Sequence, residues 1–228
     1  MNKTIKVLYE DESLIVVDKP AGILVIPSPK KETKTLTSLV NEQYQKNFQD
    51  TKVHSSGLKR IRLHPCHRLD RDTSGVIIFA KGKKHQQLMM QEFHKREVQK
   101  RYIAFVRGQI SPKKGEIEKA IRDHHRQNVA AKMAVTRYKV TGSKPGFSVV
   151  EVWPKTGRTN QIRIHFSDMG HPLLGERVYA FRRDFPVKFR RLALHAKEVV
   201  FRHPVSKKQV HVTASLPKDM REFLSRMN

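Results

Sequence analysis

Residues 76–80 form an unbroken apolar run, Val76-Ile77-Ile78-Phe79-Ala80, and the densest polar cluster of the chain, residues 64–75, lies directly before it. A run this short falls below ordinary helix length and suits a strand covered on both faces. The cluster is then a loop held against a buried strand, the setting in which a rigid scaffold presents reactive groups. Its polar members are His64, Cys66, His67, Arg68, Asp70, Arg71, Asp72, Thr73 and Ser74.

Residues 5–10 and 14–18 read as two strands around the turn Asp11-Glu12-Ser13. Lys19-Pro20-Ala21-Gly22 ends the second, since Pro20 has no N–H to give a ladder and Gly22 permits a positive φ. Helical spacing recurs at Leu36, Leu39, Val40 and Tyr44, and again at Leu88, Met89 and Phe93 within residues 83–96. Further strands are expected at 101–107, 134–140, 147–153, 192–201 and 209–214. Helices are expected from Thr159, stopped by Gly170 and Pro172, and at 217–227. Residues 109–133 carry no clear pattern. Strands outnumber helices and no repeat or linker divides the chain. The expectation is one α/β domain of α+β type over residues 1–228, with a mixed, mainly antiparallel sheet and flanking helices.

The 46 Lys and Arg against 21 Asp and Glu give a formal net charge of +25, an excess that no fold requires and that self-repulsion opposes. A polyanionic partner answers it, with RNA or DNA ahead of a membrane surface because no long apolar run is present and the basic residues are spread along the chain. A single cysteine, Cys66, excludes an internal disulfide, and with no targeting segment visible the expected location is cytoplasmic. No apolar helix lacks a plausible core role, so a monomer is expected.

Cations on both sides of Asp70 and Asp72 suit an anionic carboxylate, which can act as nucleophile or base; the plain alternative is a surface turn with local ion pairs. His64, Cys66 and His67 crowd four positions and have no second Cys/His pair at zinc-site spacing, so no metal is expected. His67, Asp70 and Ser74 make a poor hydrolase triad, because triad partners come from separate parts of a chain and no nucleophile-elbow pattern surrounds Ser74. No Walker pattern occurs. A second cluster runs over residues 157–175 and includes Gly157-Arg158-Thr159-Asn160-Gln161-Ile162-Arg163. On a helix Arg163 sits about 100° from inward-facing Ile162, at the edge of the apolar face. It either reaches a partly buried carboxylate or lies solvated. Tyr102, among Lys100, Arg101 and Arg107, suits either base stacking or strand packing.

His67-Arg68-Leu69-Asp70-Arg71-Asp72-Thr73-Ser74-Gly75 resembles the central motif of the RluA family of RNA pseudouridine synthases. Asp18-Lys19-Pro20-Ala21-Gly22, Lys100-Arg101-Tyr102 and residues 157–175 agree with the family in order, so the resemblance spans about residues 5–215. It implies a mainly antiparallel sheet with a central active-site cleft, isomerisation of uridine to pseudouridine in ribosomal or transfer RNA, and no cofactor. By the same resemblance Asp70 is the essential carboxylate, and its role as attacker of the sugar, of the base, or as a base toward the sugar stays open. Tyr102 stacks on the target base, and Arg163 pairs with the catalytic Asp. Arg68 replaces the flipped nucleotide and Ile162 lines the pocket. Arg71, Thr73, Arg158 and Lys19 join the expected RNA contacts.

Many relatives carry His where this chain has Asn160, and residue 5 already begins the first expected strand, which leaves no room for a preceding S4-type module. RNA selection would then fall to residues 28–34, 52–60 and 177–191. Two rivals remain: a non-catalytic RNA-binding protein, which needs no Asp70, Tyr102 and Arg163 together, and a metal-dependent nuclease, for which no carboxylate cluster is visible.

Overall fold

The computed structural model describes residues 4–28, 32, 34–50, 61–122, 130–180 and 187–227. These form a mixed α+β fold of ten strands and four helices, in two compact units: residues 1–98 with 200–214, and residues 99–199 with 215–228.

In the first unit β1 (Lys6–Glu10) and β2 (Leu14–Lys19) form an antiparallel pair, and β2 runs antiparallel to β4 (Ser74–Lys81) in a register from Leu14↔Ala80 to Lys19↔Gly75. The apolar run is the centre of β4: Ile77, Ile78, Phe79 and Ala80 have no exposed surface. Burying an Ile or Phe side chain stabilises by about 1.5–3 kcal/mol, so the ends of β4 are fixed. The short β3 (Leu63–Pro65) also pairs with β4, and α1 (Leu36–Asp50) and α2 (Lys83–His94) complete the described elements before residue 98.

The second unit is antiparallel in the order β5 (Gln99–Arg107), β8 (Phe147–Pro154), β7 (Lys132–Lys144), β6 (Lys114–Ile121): β6, β7 and β8 form a meander, and β5 lies against β8. Its core joins Phe105, Phe147, Leu174, Ala193 and Met220, and Phe223 stacks on Phe105 with ring centroids 6.0 Å apart. The helix α3 (Gln161–Asp168) lays Phe166 edge-on to Tyr138 of β7 at 5.8 Å. Strand β9 (Leu194–Arg202) begins in this unit and ends in the first, followed by β10 (Gln209–Thr213), and α4 (Lys218–Arg226) closes the chain.

Two expectations change. Strand β6 lies in the stretch read as patternless, because its residues alternate between partly covered and exposed rather than apolar and polar. The strand expected at 134–140 is longer: β7 runs to Lys144 past a bulge between Val140 and Gly142, which leaves only Pro145-Gly146 before β8.

Candidate active site

The loop between β3 and β4 is fastened at several points. Cys66 donates its backbone N–H to Ile78 O at 2.9 Å, and Ile78 N–H donates to His67 Nε2 at 3.1 Å. The accepting Nε2 carries no proton, so the imidazole is fixed as its Nδ1–H form. Thr73 N–H closes a turn on Asp70 O at 3.2 Å. Across this turn Gly22 N–H donates to Arg71 O at 2.9 Å, while the Lys19 ammonium donates to Arg71 O and Thr73 O, both at 2.8 Å, and to Pro20 O at 3.1 Å. Gly22 has φ +89°, a backbone state that L side chains rarely adopt. Within the turn Leu69 is buried, Asp70 half-buried and Arg68 exposed, so the motif's ends are anchored while its charged groups stay accessible.

Two residues expected to contact RNA lie beneath the surface instead. Lys19 has no exposed surface: an ammonium so placed touches no phosphate, and it organises the Asp70 loop through carbonyls instead. Thr73 is 1% exposed, and its hydroxyl has no partner among the described residues. Lys19→Met is expected to leave buried carbonyls unsatisfied and to cost roughly 3 kcal/mol. Thermal unfolding checks this; unchanged stability with weakened RNA binding would restore Lys19 as an RNA contact. Arg71, by contrast, is exposed and holds Glu32 through Nη2, at 2.7 Å to each carboxylate oxygen.

In the second unit Tyr102 is 9% exposed and stands opposite Val152. Its neighbour Arg101 bridges Glu151 at 2.7 Å and Glu198 at 2.5 Å. The turn before α3 is built by the buried Gln161. Its Oε1 accepts from Thr156 Oγ1 at 2.7 Å and Arg158 N at 3.0 Å, and its Nε2 donates to Val135 O and Thr136 Oγ1, both at 2.9 Å. Asn160 then takes the left-handed conformation, φ 55°, which Asn tolerates better than most residues. Its Nδ2 donates to Tyr179 Oη at 2.9 Å and its Oδ1 accepts from Arg163 Nη1 at 2.8 Å. At this position, then, an amide joins the arginine to a tyrosine.

Arg163 meets a buried carboxylate, that of Glu176. Nε and Nη2 donate to its two oxygens, each at 2.7 Å, and Tyr179 lies under the guanidinium at 5.0 Å. Glu176 has a fully buried side chain and also accepts the backbone N–H groups of Arg177 and Val178, both at 2.8 Å. Burial alone would raise its pKa, but the Arg163 hydrogen bonds and these N–H groups outweigh burial and lower it. Gly175 fixes the approach, since a Cβ there would stand 1.8 Å from Arg191 O. Glu176 and Gln161 were not singled out in the sequence. The signal for Glu176 was a lone acid between the Gly170–Gly175 motif and the basic run that starts at Arg177.

Ile162 is 6% exposed; Arg158 is half-buried, with Nε 3.4 Å from Met133 O. Burial pushes the Cys66 thiol up to about 12, which removes it as a nucleophile or metal ligand at neutral pH. Among the described residues no three His, Cys, Asp or Glu side chains are grouped to hold a metal ion. Of the expected RNA-contact segments, 52–60 lies outside the described residues, as do parts of 28–34 and 177–191.

Residues 13–168 match the RNA pseudouridylate synthase family. The chain belongs to that family. The synthase is 35% identical to the uncharacterized RNA pseudouridine synthase YhcT of Bacillus subtilis, over 95% of this chain and 70% of that protein. It is 34% identical to tRNA pseudouridine synthase C of Haemophilus ducreyi, over 92% and 90%. With ribosomal large subunit pseudouridine synthase D of Xylella fastidiosa it shares 32%, over 96% and 68%. Human RNA pseudouridylate synthase domain containing 4 has the same fold, with a TM-score of 0.76 at 24% identity over 97% of this chain and 92% of that one. The synthase is therefore an RNA-modifying isomerase, as the motif resemblance implied. Asp70, Arg68 and Arg71 stand in its first unit, and Tyr102, Arg158, Ile162 and Arg163 in its second.

Proposed function

We propose that the synthase isomerises uridine in ribosomal or transfer RNA with Asp70 as its catalytic carboxylate. In the reaction the C1′–N1 bond breaks, the base turns, C1′–C5 forms, C5 gives up its proton and N1 gains one. No electrons enter or leave, and the chemistry calls for no redox or group-donor cofactor. Tyr102 stacks on the flipped base, recovering about 1–3 kcal/mol of the unstacking cost. Ile162 gives the base an apolar neighbour. Arg163, held by Glu176 and Asn160, is the basic group that acts with Asp70. Arg68 fills the gap left by the base with its planar guanidinium, and Arg71 and Arg158 contact the RNA backbone. The chain is proposed to act as a single catalytic domain, a monomer and a cytoplasmic protein; no described helix is long and apolar enough to cross a membrane.

The observation that carries this reading is the construction of the loop: a fully buried lysine fixes the carbonyls of Arg71 and Thr73, directly after the half-buried Asp70. A surface turn with incidental ion pairs needs no such internal anchor. The relatives named for ribosomal and for transfer RNA support both substrate classes. Mapping pseudouridine in total RNA with and without the gene tests the proposal. One or more sites are expected to vanish on deletion and return with the intact gene, and an unchanged map refutes it.

A further inference from the structure

Lys100 stands out among the basic residues of the second unit. It lies two positions before Tyr102 on β5, so both side chains leave the strand on the same face while Arg101 leaves on the other. Arg101 is neutralised by two carboxylates. The Lys100 side chain is half-buried, and no hydrogen bond or ion pair joins its ammonium to a described residue. Its Nζ lies against the Gly157 end of the second motif, where a Cβ on Gly157 would stand 3.7 Å from it. Burial lowers its pKa, and among the described residues no acidic group offsets the effect.

A cation withdrawn from water without a counter-ion costs free energy that a packed protein normally avoids. The cost is offset when a ligand supplies the anion. In a protein of this net charge, the ligand beside the proposed base-stacking tyrosine is a nucleic acid. We propose that Lys100, at the edge of Gly157, is a phosphate-binding residue that takes the backbone phosphate of the uridine whose base lies on Tyr102. This rests on the reading of Tyr102 given above. A phosphate fits better than a uracil oxygen, because it brings a full negative charge to a compact ammonium, whereas a carbonyl brings only a dipole. Gly157 serves the same end by having no side chain to cover Nζ.

The test compares wild type with Lys100→Met and Lys100→Arg. Lys100→Met is expected to raise KM for tritium release from uridine-labelled RNA about tenfold with kcat within about twofold, and Lys100→Arg to recover most of the loss. The slope of log affinity against log salt for an RNA stem-loop should fall by about 0.7–0.9, the value of one phosphate contact. Wild type should bind uridine 5′-monophosphate in preference to uridine, and Lys100→Met should lose that preference. The idea is overturned if Lys100→Met keeps it, if wild type lacks it, or if kcat collapses at constant KM, which would place Lys100 in the chemistry of the base. The nucleotide and salt measurements do not depend on turnover, so a wild-type protein without activity would count against the proposed function alone. Should Lys100→Met fold poorly by thermal unfolding, Lys100→Gln is read in its place.

Discussion

Asp70→Asn is expected to abolish tritium release from RNA labelled at uridine C5, by about 10⁴-fold or more, while the affinity for RNA changes little. Losses of this size follow when the group that acts on the reacting atoms is removed and its surroundings are kept. The substitution exchanges an oxygen for an NH2 of the same shape. It leaves untouched the Lys19 contacts that hold the loop, because those run to the main-chain carbonyls of Arg71 and Thr73. Unfolding of Asp70→Asn should therefore match wild type, and the remaining rate reports chemistry alone. A variant that turned over normally would strip Asp70 of its role. If it lost RNA binding in parallel with activity, the carboxylate would be part of substrate recognition.

Glu176→Ala is expected to cost about 3–5 kcal/mol in stability, the range for removing one partner of a buried ion pair. Arg163, whose side chain is 14% exposed, would lose two of its hydrogen bonds, and the N–H groups of Arg177 and Val178 would lose their acceptor. Urea unfolding checks the figure. Activity should fall further than stability explains, because the guanidinium of Arg163 then loses its two-point hold, and Glu176→Gln should lie between. The pH dependence has a definite sign. A carboxylate whose pKa is lower folded than unfolded stabilises the fold above its unfolded value and gives that up as pH falls through the folded one. Wild type should thus lose the Glu176 contribution progressively below its ordinary value of 4.5. Glu176→Gln should lack that part of the acid transition, and superimposable acid curves would show that Glu176 does not set it.

What could be read in the sequence divides along physical lines. Strand β4 and the loop before it were legible because an all-apolar run has few places to go, and the polar cluster had to emerge at its end. Helix α3 was legible from Ile162 and Phe166 and from the stop at Gly170, where φ is +77°. Lys19 was misassigned because a lysine in a basic chain reads as surface. Its burial depends on carbonyls supplied 52 and 54 residues later, and no local pattern announces such acceptors. Glu176 escaped for a related reason: its partner lies 13 residues earlier, across a helix end and a turn. Strand β6 was hidden by its own exposure, with Lys114, Glu116, Glu118, Lys119 and Ala120 between partly covered residues.

That exposure has a use. Strand β6 ends the strand order of the second unit, so one row of its peptide groups has no ladder partner in that series. An unguarded outer strand invites pairing with a second molecule, and charged side chains along it discourage such growth. Lys114, Glu116, Glu118 and Lys119 act as that guard. Replacing the four with threonine would leave the fold intact on paper and turn this margin into a seed for self-association in concentrated solution.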